Sequence, residues 1–200
     1  GVRVDPGNIV CVPGGKVTMF FAIMMFGEPG AEIMYPNPGF PIYESVINYS
    51  GAKAVPIPLL EENDFSFDAE EVLSLITPAT RLMIINTPAN PQGSVATLNQ
   101  LKNAIGHARC NDFALAVDEC YSEIYTGAKP PGLFDACREL GGDAPFKNTL
   151  VFHSLSKRSN LPGLRSGFVA GDPALIRLLL RLRQYGGAQV PLPVMNASAA

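Results

Sequence analysis

Two serines, a lysine and an arginine follow one apolar run of the sequence. Ser154, Ser156 and Lys157 come after residues 150–153, and Arg165 stands eight residues beyond the lysine. Small and apolar neighbours favour the neutral form of a lysine amine, which can then act as a nucleophile or a base. Arginine presents a planar set of donors that fits a phosphate or a carboxylate, and serine hydroxyls can donate to the same anion. These residues form either a reactive anion site or an ordinary surface loop with two cations.

An acidic residue and a tyrosine follow a second apolar run. Asp118 comes directly after residues 113–117, and Tyr121 lies three residues further along the chain. A carboxylate at the end of a buried strand needs a cation or hydrogen-bond donors, because the burial of an unpaired charge is costly. Asp118 is therefore expected to face a positively charged partner, with Tyr121 close by.

Asparagine and aromatic side chains stand at two further strand ends. Asn90 precedes Pro91 in the turn after residues 81–85, and Phe40 follows the strand of residues 31–35. The residue before a proline is conformationally restricted, so the Asn90 amide is either held ready to donate to a ligand or engaged in an Asx turn. Phe40 is either a core residue or an aromatic face for a flat ligand.

A glycine turn opens the first predicted helix. A Pro-Gly-Gly sequence that ends at Gly15 separates a strand, residues 9–12, from an apolar helix, residues 16–26. The first backbone N–H groups of a helix have no partner within the helix, so those of Gly15 and Lys16 suit a phosphate. The P-loop pattern is absent, because Val17 follows the lysine. The segment is either a phosphate site or only a turn.

Strand and helix patterns alternate along the chain. Strands are predicted at residues 9–12, 31–35, 53–57, 81–85, 113–117, 150–153 and 166–171, and helices at residues 16–26, 40–50, 68–76, 97–110 and 173–184. This alternation of apolar strands and helices indicates an α/β fold with a mostly parallel sheet and helices on both faces. Ligands of such sheets bind beyond the carboxyl ends of the strands. The residues named above stand at those ends, so we expect them to form one site.

Two further segments are predicted to lie at the surface. Residues 126–147 are rich in glycine, proline and small residues, which indicates a long surface connection rather than a second domain. Arg177, Arg181 and Arg183 are spaced along the last predicted helix and are expected to form its solvated face.

Composition excludes several classes of partner and site. The 200 residues carry a net charge of −3, with no basic block for nucleic acid or an anionic membrane surface. The longest apolar run, residues 17–26, is too short to span a bilayer. Two histidines and four cysteines without a Cys-x-x-Cys pair predict neither a metal site nor a disulfide framework. We expect a cytoplasmic protein with reduced thiols and small-molecule partners.

Three motifs, in this order, resemble those of the class I and II aminotransferases, pyridoxal-phosphate enzymes of fold type I. They are Asn90-Pro-x-Gly93, Asp118-x-x-Tyr121 and Ser154-x-Ser-Lys157 with Arg165 beyond it. The resemblance covers the whole chain. Within the family, residues 118–125 and 156–172 look most similar to succinyldiaminopimelate aminotransferases of lysine biosynthesis.

The resemblance implies a role for each residue. Lys157 forms the Schiff base with the cofactor aldehyde and later moves the substrate Cα proton, and Asp118 keeps the ring nitrogen protonated. Asn90 and Tyr121 bond the ring hydroxyl, and Phe40 stacks on the ring. The remaining residues hold the phosphate: Arg165, Ser154, Ser156 and the backbone of Gly15 and Lys16.

The chain also departs from the family pattern. Gly15 stands where many relatives carry a phosphate-binding Ser or Thr, and Gln92 replaces the usual Thr in the turn after Asn90. Family members are considerably longer, so residues 1–200 are expected to be part of the large cofactor-binding domain of a homodimer. We expect this 200-residue chain to bind the cofactor weakly and not to transaminate at a normal rate.

Three other functions fit part of the pattern. Ser154-x-x-Lys157 matches a β-lactamase nucleophile motif, but Ser-Asp-Asn and Lys-Thr-Gly do not occur in the chain. A pyridoxal-phosphate β-lyase shares almost the whole site. Release of ammonia would identify the lyase, whereas formation of a keto acid without ammonia would identify the aminotransferase. The sensor part of a transcription regulator can have the same fold, although no helix-turn-helix pattern is visible in the sequence.

Overall fold

Seven strands form one mixed sheet in the computed structural model, which describes residues 2–187 and 189–199. The strands are β1 (Ile9–Val12), β2 (Glu32–Asn37), β3 (Lys53–Pro58), β4 (Thr80–Asn86), β5 (Ala114–Asp118), β6 (Thr149–Ser154) and β7 (Gly167–Gly171). Their order across the sheet is β1-β7-β6-β5-β4-β2-β3. β7 runs antiparallel to both β1 and β6, whereas the other neighbouring strands pair in parallel. The prediction of a mostly parallel α/β sheet is confirmed.

Eight helices connect or follow these strands in the described part of the chain. They are α1 (Gly15–Phe26), α2 (Ile42–Ser50), α3 (Ala69–Leu75), α4 (Leu98–Cys110), α5 (Leu133–Leu140), α6 (Leu155–Arg158), α7 (Pro173–Gly186) and α8 (Leu192–Ala199). Local signals in the sequence explain several helix ends. The Asp68 side chain accepts the first backbone N–H groups of α3, and Thr97 forms a capping box with Gln100 at the start of α4.

Residues that alternate along the strands divide into two apolar cores, one on each face of the sheet. Ile33, Ile84 and Phe152 belong to the core that includes residues of α1, α2 and α7. Met34, Met83 and their counterparts on the other strands belong to the core that includes residues of α3, α4 and α5. Both faces are therefore covered, which explains why the strands are apolar at nearly every position.

Two predictions about the surface are wrong. The predicted surface connection contains α5, whose residues Leu133, Ala136 and Cys137 are buried. Their spacing of three and four residues places them on one helix face, and that face packs against the sheet. Arg183 is also buried, at 3% exposure, and its Nη1 donates to the carbonyl of Cys11 at 2.7 Å. Only Arg177 and Arg181 of the three arginines are exposed.

The carboxyl ends of the central strands bring the predicted site residues to one edge. Asn86 pairs with Asp118 in the register of β4 and β5, and Asp118 pairs with Phe152 in that of β5 and β6. The turn between β1 and α1 ends at the same edge, because β1 runs parallel to β6 across the intervening β7. No helix of the described residues is long and apolar enough to cross a bilayer.

Candidate active site

A cavity of about 480 Å³ opens at the carboxyl edge of the sheet. Nine of the ten residues predicted for the site line it, and the tenth, Gly15, lies next to it at the start of α1. Three residues that were not predicted complete the lining: Tyr43, Asn86 and Cys120. Strand ends, a helix start and two loops thus converge on one concave surface, as expected for a ligand site in such a sheet.

One end of the cavity presents donors suited to an anion. α1 begins at Gly15 after Gly14, which has a φ of 90°, and the free N–H groups of its first turn add a partial positive charge. The Arg165 guanidinium lies beside this turn, with Nη2 donating to the carbonyl of Pro13 at 3.0 Å. A Cβ on Gly14 would meet Arg165 Nη2 at 2.5 Å, so a side chain here would displace the guanidinium from this position.

Two serine hydroxyls stand beside the arginine. Ser154 caps α6, and its Oγ lies 3.0 Å from Ser156 Oγ. Arg165 Nη1 is 3.5 Å from Ser156 Oγ and donates to the carbonyl of Pro162 at 2.9 Å. A cation, two hydroxyls and a helix start therefore surround one end of the cavity, and this donor set suits a phosphate.

The other end of the cavity holds a carboxylate in a fixed orientation. Tyr43 Oη donates to Asp118 Oδ2 at 2.9 Å, and the backbone N–H of Cys120 donates to Oδ1 at 3.1 Å. Tyr43 is fully buried, and burial followed by the Asp118 carboxylate raises the pKa of its phenol well above the usual range. Tyr43 is therefore a permanent donor to Asp118 near neutral pH, which leaves the half-buried carboxylate available to a cationic ligand group.

Asn86, at the end of β4, and Asn90, in the turn that follows, have different roles. Asn86 Oδ1 accepts the backbone N–H of Asn90 at 2.7 Å, and Asn86 Nδ2 donates to the carbonyl of Asp118 at 3.0 Å. The side chain of Asn86 thus closes the turn that contains Asn90. The Asn90 side chain lines the cavity, where its amide can meet a ligand.

Two amines lie against aromatic rings in the cavity. Lys157 Nζ is 5.7 Å from the centre of the Tyr121 ring, and Lys16 Nζ is 5.6 Å from the centre of the Phe40 ring. Burial, followed by Asp118 and Cys120, raises the pKa of Tyr121, so this phenol also stays protonated near neutral pH. Lys157 is exposed at the rim on the short helix α6, so the packing of this chain does not provide the desolvation that its sequence neighbours predicted.

The three unpredicted lining residues had weak signals in the sequence. Tyr43 follows Phe40 by three residues and Cys120 stands between Asp118 and Tyr121, so both lie close to predicted positions. Neither spacing predicts that Tyr43 reaches across to a strand 75 residues away to bond Asp118. Asn86 directly follows the predicted strand of residues 81–85 and belongs to the predicted turn, whereas in the structure it is the last residue of β4.

The four cysteines are expected to differ sharply in reactivity, because the thiolate is the nucleophilic form of cysteine. Burial raises the pKa of Cys137 to about 11, and burial followed by Asp118 raises that of Cys120. Cys11 and Cys110 are exposed. Iodoacetamide at pH 7 should therefore alkylate Cys11 and Cys110 first in the cofactor-free native protein, as followed by peptide mass spectrometry. Equal rates at Cys120 and Cys11 would contradict the buried, protonated state of Cys120.

A family model described as "Aminotransferase class I and II" matches residues 1–200. The chain is 34% identical to the 4-dedimethylamino-4-oxo-anhydrotetracycline transaminase OxyQ of Streptomyces rimosus, over 100% of this chain and 52% of that protein. It is 32% identical to the LL-diaminopimelate aminotransferase of Halothermothrix orenii, over 92% of this chain and 46% of that protein. The chain thus spans about half the length of these curated relatives.

Solved structures show the same fold. The crystal structure of an aminotransferase from Neisseria meningitidis matches 99% of this chain and 51% of its own, with a TM-score of 0.90 and 36% identity. The N-succinyldiaminopimelate aminotransferase of Mycobacterium tuberculosis matches 100% of this chain and 51% of its own, with a TM-score of 0.88 and 28% identity. The sheet, the surrounding helices and the turns at the cavity are therefore those of a known enzyme architecture.

Proposed function

The chain belongs to the class I and II aminotransferases, and on that premise we propose that the native protein moves an amino group from an amino acid to a 2-oxo acid. The family depends on pyridoxal 5'-phosphate. The observation that carries the proposal is the cavity itself, which holds the amine of Lys157, the carboxylate of Asp118 and the guanidinium of Arg165. The alternative of an ordinary surface loop at residues 154–165 does not account for this convergence.

The donors in the cavity fit this cofactor. Its phosphate matches the end formed by Arg165, Ser154, Ser156 and the backbone N–H groups of Gly15 and Lys16. The ring nitrogen matches the oriented carboxylate of Asp118, which accepts hydrogen bonds from Tyr43 and from the N–H of Cys120. The amide of Asn90 and the phenol of Tyr121 can bond the ring hydroxyl, and Phe40 can stack on the ring.

The residues of this chain divide the work of the reaction. The bound cofactor supplies an aldehyde that bonds amines and a ring that accepts electrons. The negative charge of Asp118 favours the protonated ring nitrogen, because opposite charges at close range stabilise one another. Lys157 Nζ would hold the aldehyde of the bound cofactor and, once freed by the amino acid, would remove the proton from the substrate Cα.

A further cation in the cavity supports an acidic substrate. Lys16 Nζ lies over the Phe40 ring, and the proposed phosphate contacts use only the backbone of this residue. Glutamate and N-succinyl-diaminopimelate each carry a carboxylate beyond the reacting amino acid group, and such a carboxylate can pair with the Lys16 ammonium. We therefore propose N-succinyl-diaminopimelate with 2-oxoglutarate, in lysine biosynthesis, as the substrate pair. The matched relatives include enzymes named for other amino acids, so substrate screening has to decide.

The same comparisons support a proposal about the chain's place in the native protein. We propose that residues 1–200 are part of the large cofactor-binding domain of a homodimer. The matched relatives are about twice as long as this chain, which supports further segments in the functional protein. A cytoplasmic location is supported by the cysteines, all four of which are free.

A two-substrate assay tests the proposed reaction. Native protein with pyridoxal phosphate, N-succinyl-diaminopimelate and 2-oxoglutarate should form glutamate and the matching oxo acid in equal amounts. If glutamate forms only from other amino donors, the proposed aminotransferase activity stands and the proposed substrate is wrong. Ammonia release without glutamate would identify a lyase, and cofactor binding without turnover would favour a sensor domain.

Replacement of Tyr43 by phenylalanine tests the orientation of Asp118. The variant loses the O–H donor to Oδ2 but keeps the buried ring, so the fold should remain. A hydrogen bond to a charged group contributes about 1.5–3 kcal/mol. Turnover at saturating substrate should therefore fall roughly tenfold. The melting temperature should change only slightly, because the buried ring remains. Tyr49→Phe, at a tyrosine that is 75% exposed, is the matched control. Unchanged turnover in Tyr43→Phe would contradict the role of this contact.

A further inference from the structure

Cys120 stands where three elements of the cavity meet. It follows Asp118 at the end of β5, it lines the cavity, and its backbone N–H donates to Asp118 Oδ1 at 3.1 Å. Its side chain points toward the start of α1, because a Cβ built on Gly15 would lie 2.8 Å from Cys120 Sγ. The same Cβ would lie 4.0 Å from Ser154 Cβ, at the end of β6.

The space beside Gly15 is therefore already filled. Non-bonded carbon atoms pack at about 3.5–4.0 Å, and sulfur is larger than carbon, so at a separation of 2.8 Å one of the two groups must shift. Gly15 has no need of a glycine backbone conformation, because it is the first residue of α1 and is helical. Contact with Cys120 explains the glycine here, whereas the positive φ of 90° explains the neighbouring Gly14.

We propose that Gly15 and Cys120 form one steric unit, in which the Cys120 side chain takes the place of a side chain at residue 15 and forms the cavity wall between the phosphate end and the Asp118 end. Cys120 is thus a positioning residue for the cofactor. This inference rests on the proposed function, because it assigns the wall to a cofactor with a phosphate at one end and a ring nitrogen at the other.

The protonation of Cys120 agrees with this role. Burial and Asp118 raise the pKa of its thiol, so the wall stays neutral at neutral pH and does not repel a phosphate dianion. A neutral thiol also offers a weak S–H donor toward the same end of the cavity. The carboxylate end and the phosphate end are thereby separated by an uncharged, polarizable group.

A double-mutant cycle on the native protein tests the pairing. The four proteins are wild type, Gly15→Ser, Cys120→Ala and the double variant, and pyridoxal phosphate affinity is measured for each by absorbance titration. Gly15→Ser alone should bind the cofactor roughly tenfold more weakly, since its Cβ collides with the thiol. The double variant should return to within about threefold of wild type, because the serine then occupies the vacated space.

Matched controls separate this effect from helix propensity and from thiol loss. Gly106→Ser adds the same side chain to α4, where nothing lies within 4 Å of the built Cβ, and Cys110→Ala removes an exposed thiol. Both should leave the affinity unchanged. Gly15→Ala carries the same collision with a smaller side chain and replaces Gly15→Ser if that variant does not fold.

The outcomes distinguish this inference from the proposed function. Rescue of Gly15→Ser by Cys120→Ala supports the steric unit. The steric unit is overturned if the wild type binds the cofactor but the effects in the cycle are additive, or if Gly15→Ser binds it with full affinity. Either result leaves the proposed function standing. Absence of any cofactor binding by the wild-type protein overturns both.

Discussion

Replacement of Lys157 by alanine should lower the rate of transamination by about four orders of magnitude, because in the proposed mechanism one amine both holds the cofactor and moves the substrate proton. Lys157 Nζ lies in the cavity, 5.7 Å from the centre of the Tyr121 ring. The side chain is exposed, so its loss should change the free energy of unfolding by no more than about 0.5 kcal/mol. The measurements are initial rates at saturating substrates and the thermal melting temperature.

The matched control for this variant is Lys129→Ala. Lys129 is an exposed lysine that pairs with Glu123 at 3.4 Å and lies outside the cavity lining. It should keep the wild-type rate. A Lys157→Ala protein that transaminates within tenfold of wild type would show that another amine does the chemistry, and Lys16 would then be the first candidate.

Replacement of Asp118 by asparagine should lower the rate by about two to three orders of magnitude, as the loss of one oriented charge-stabilising group does in other active sites. Asparagine keeps the shape of the side chain; its Oδ1 can accept the Cys120 N–H and its amide can donate to Tyr43 Oη, so the cavity should stay intact. The variant lacks the negative charge that favours a protonated ring nitrogen. Turnover should therefore fall much more than cofactor affinity.

The appropriate comparison is Asp143→Asn, at an exposed aspartate in the loop before β6. This control should match wild type in both turnover and affinity. Equal losses of affinity and turnover in Asp118→Asn would indicate a role in cofactor binding only. An unchanged rate would remove Asp118 from the proposed chemistry.

The residues that line the cavity could be predicted from the sequence because most of them follow strands. Asp118 and Ser154 each end an apolar run, and parallel strands bring their carboxyl ends to one edge of the sheet. Arg165 reaches the same place from a loop, eight residues beyond Lys157. Its contact with Pro13 joins residues 152 positions apart, which spacing alone does not predict.

The failures have a common physical origin in tertiary packing. The buried face of α5 was present in the sequence as Leu133, Ala136 and Cys137, but the glycine-rich surroundings outweighed that spacing. Arg183 lies on the same face of α7 as the buried Ile176 and Leu179, at a spacing of three and four residues, but its charge outweighed that spacing. Lys157 has apolar neighbours along the chain, yet the short helix α6 places it at the cavity rim.

The most direct measurement is to identify the lysine that carries the cofactor. Native protein loaded with pyridoxal phosphate is reduced with borohydride, which fixes the cofactor to its amine, and is then digested and mapped by mass spectrometry. The added mass should be found on Lys157 and be lost in Lys157→Ala. Modification of Lys16 instead, or no fixed cofactor in the wild-type protein, would contradict the proposed active site.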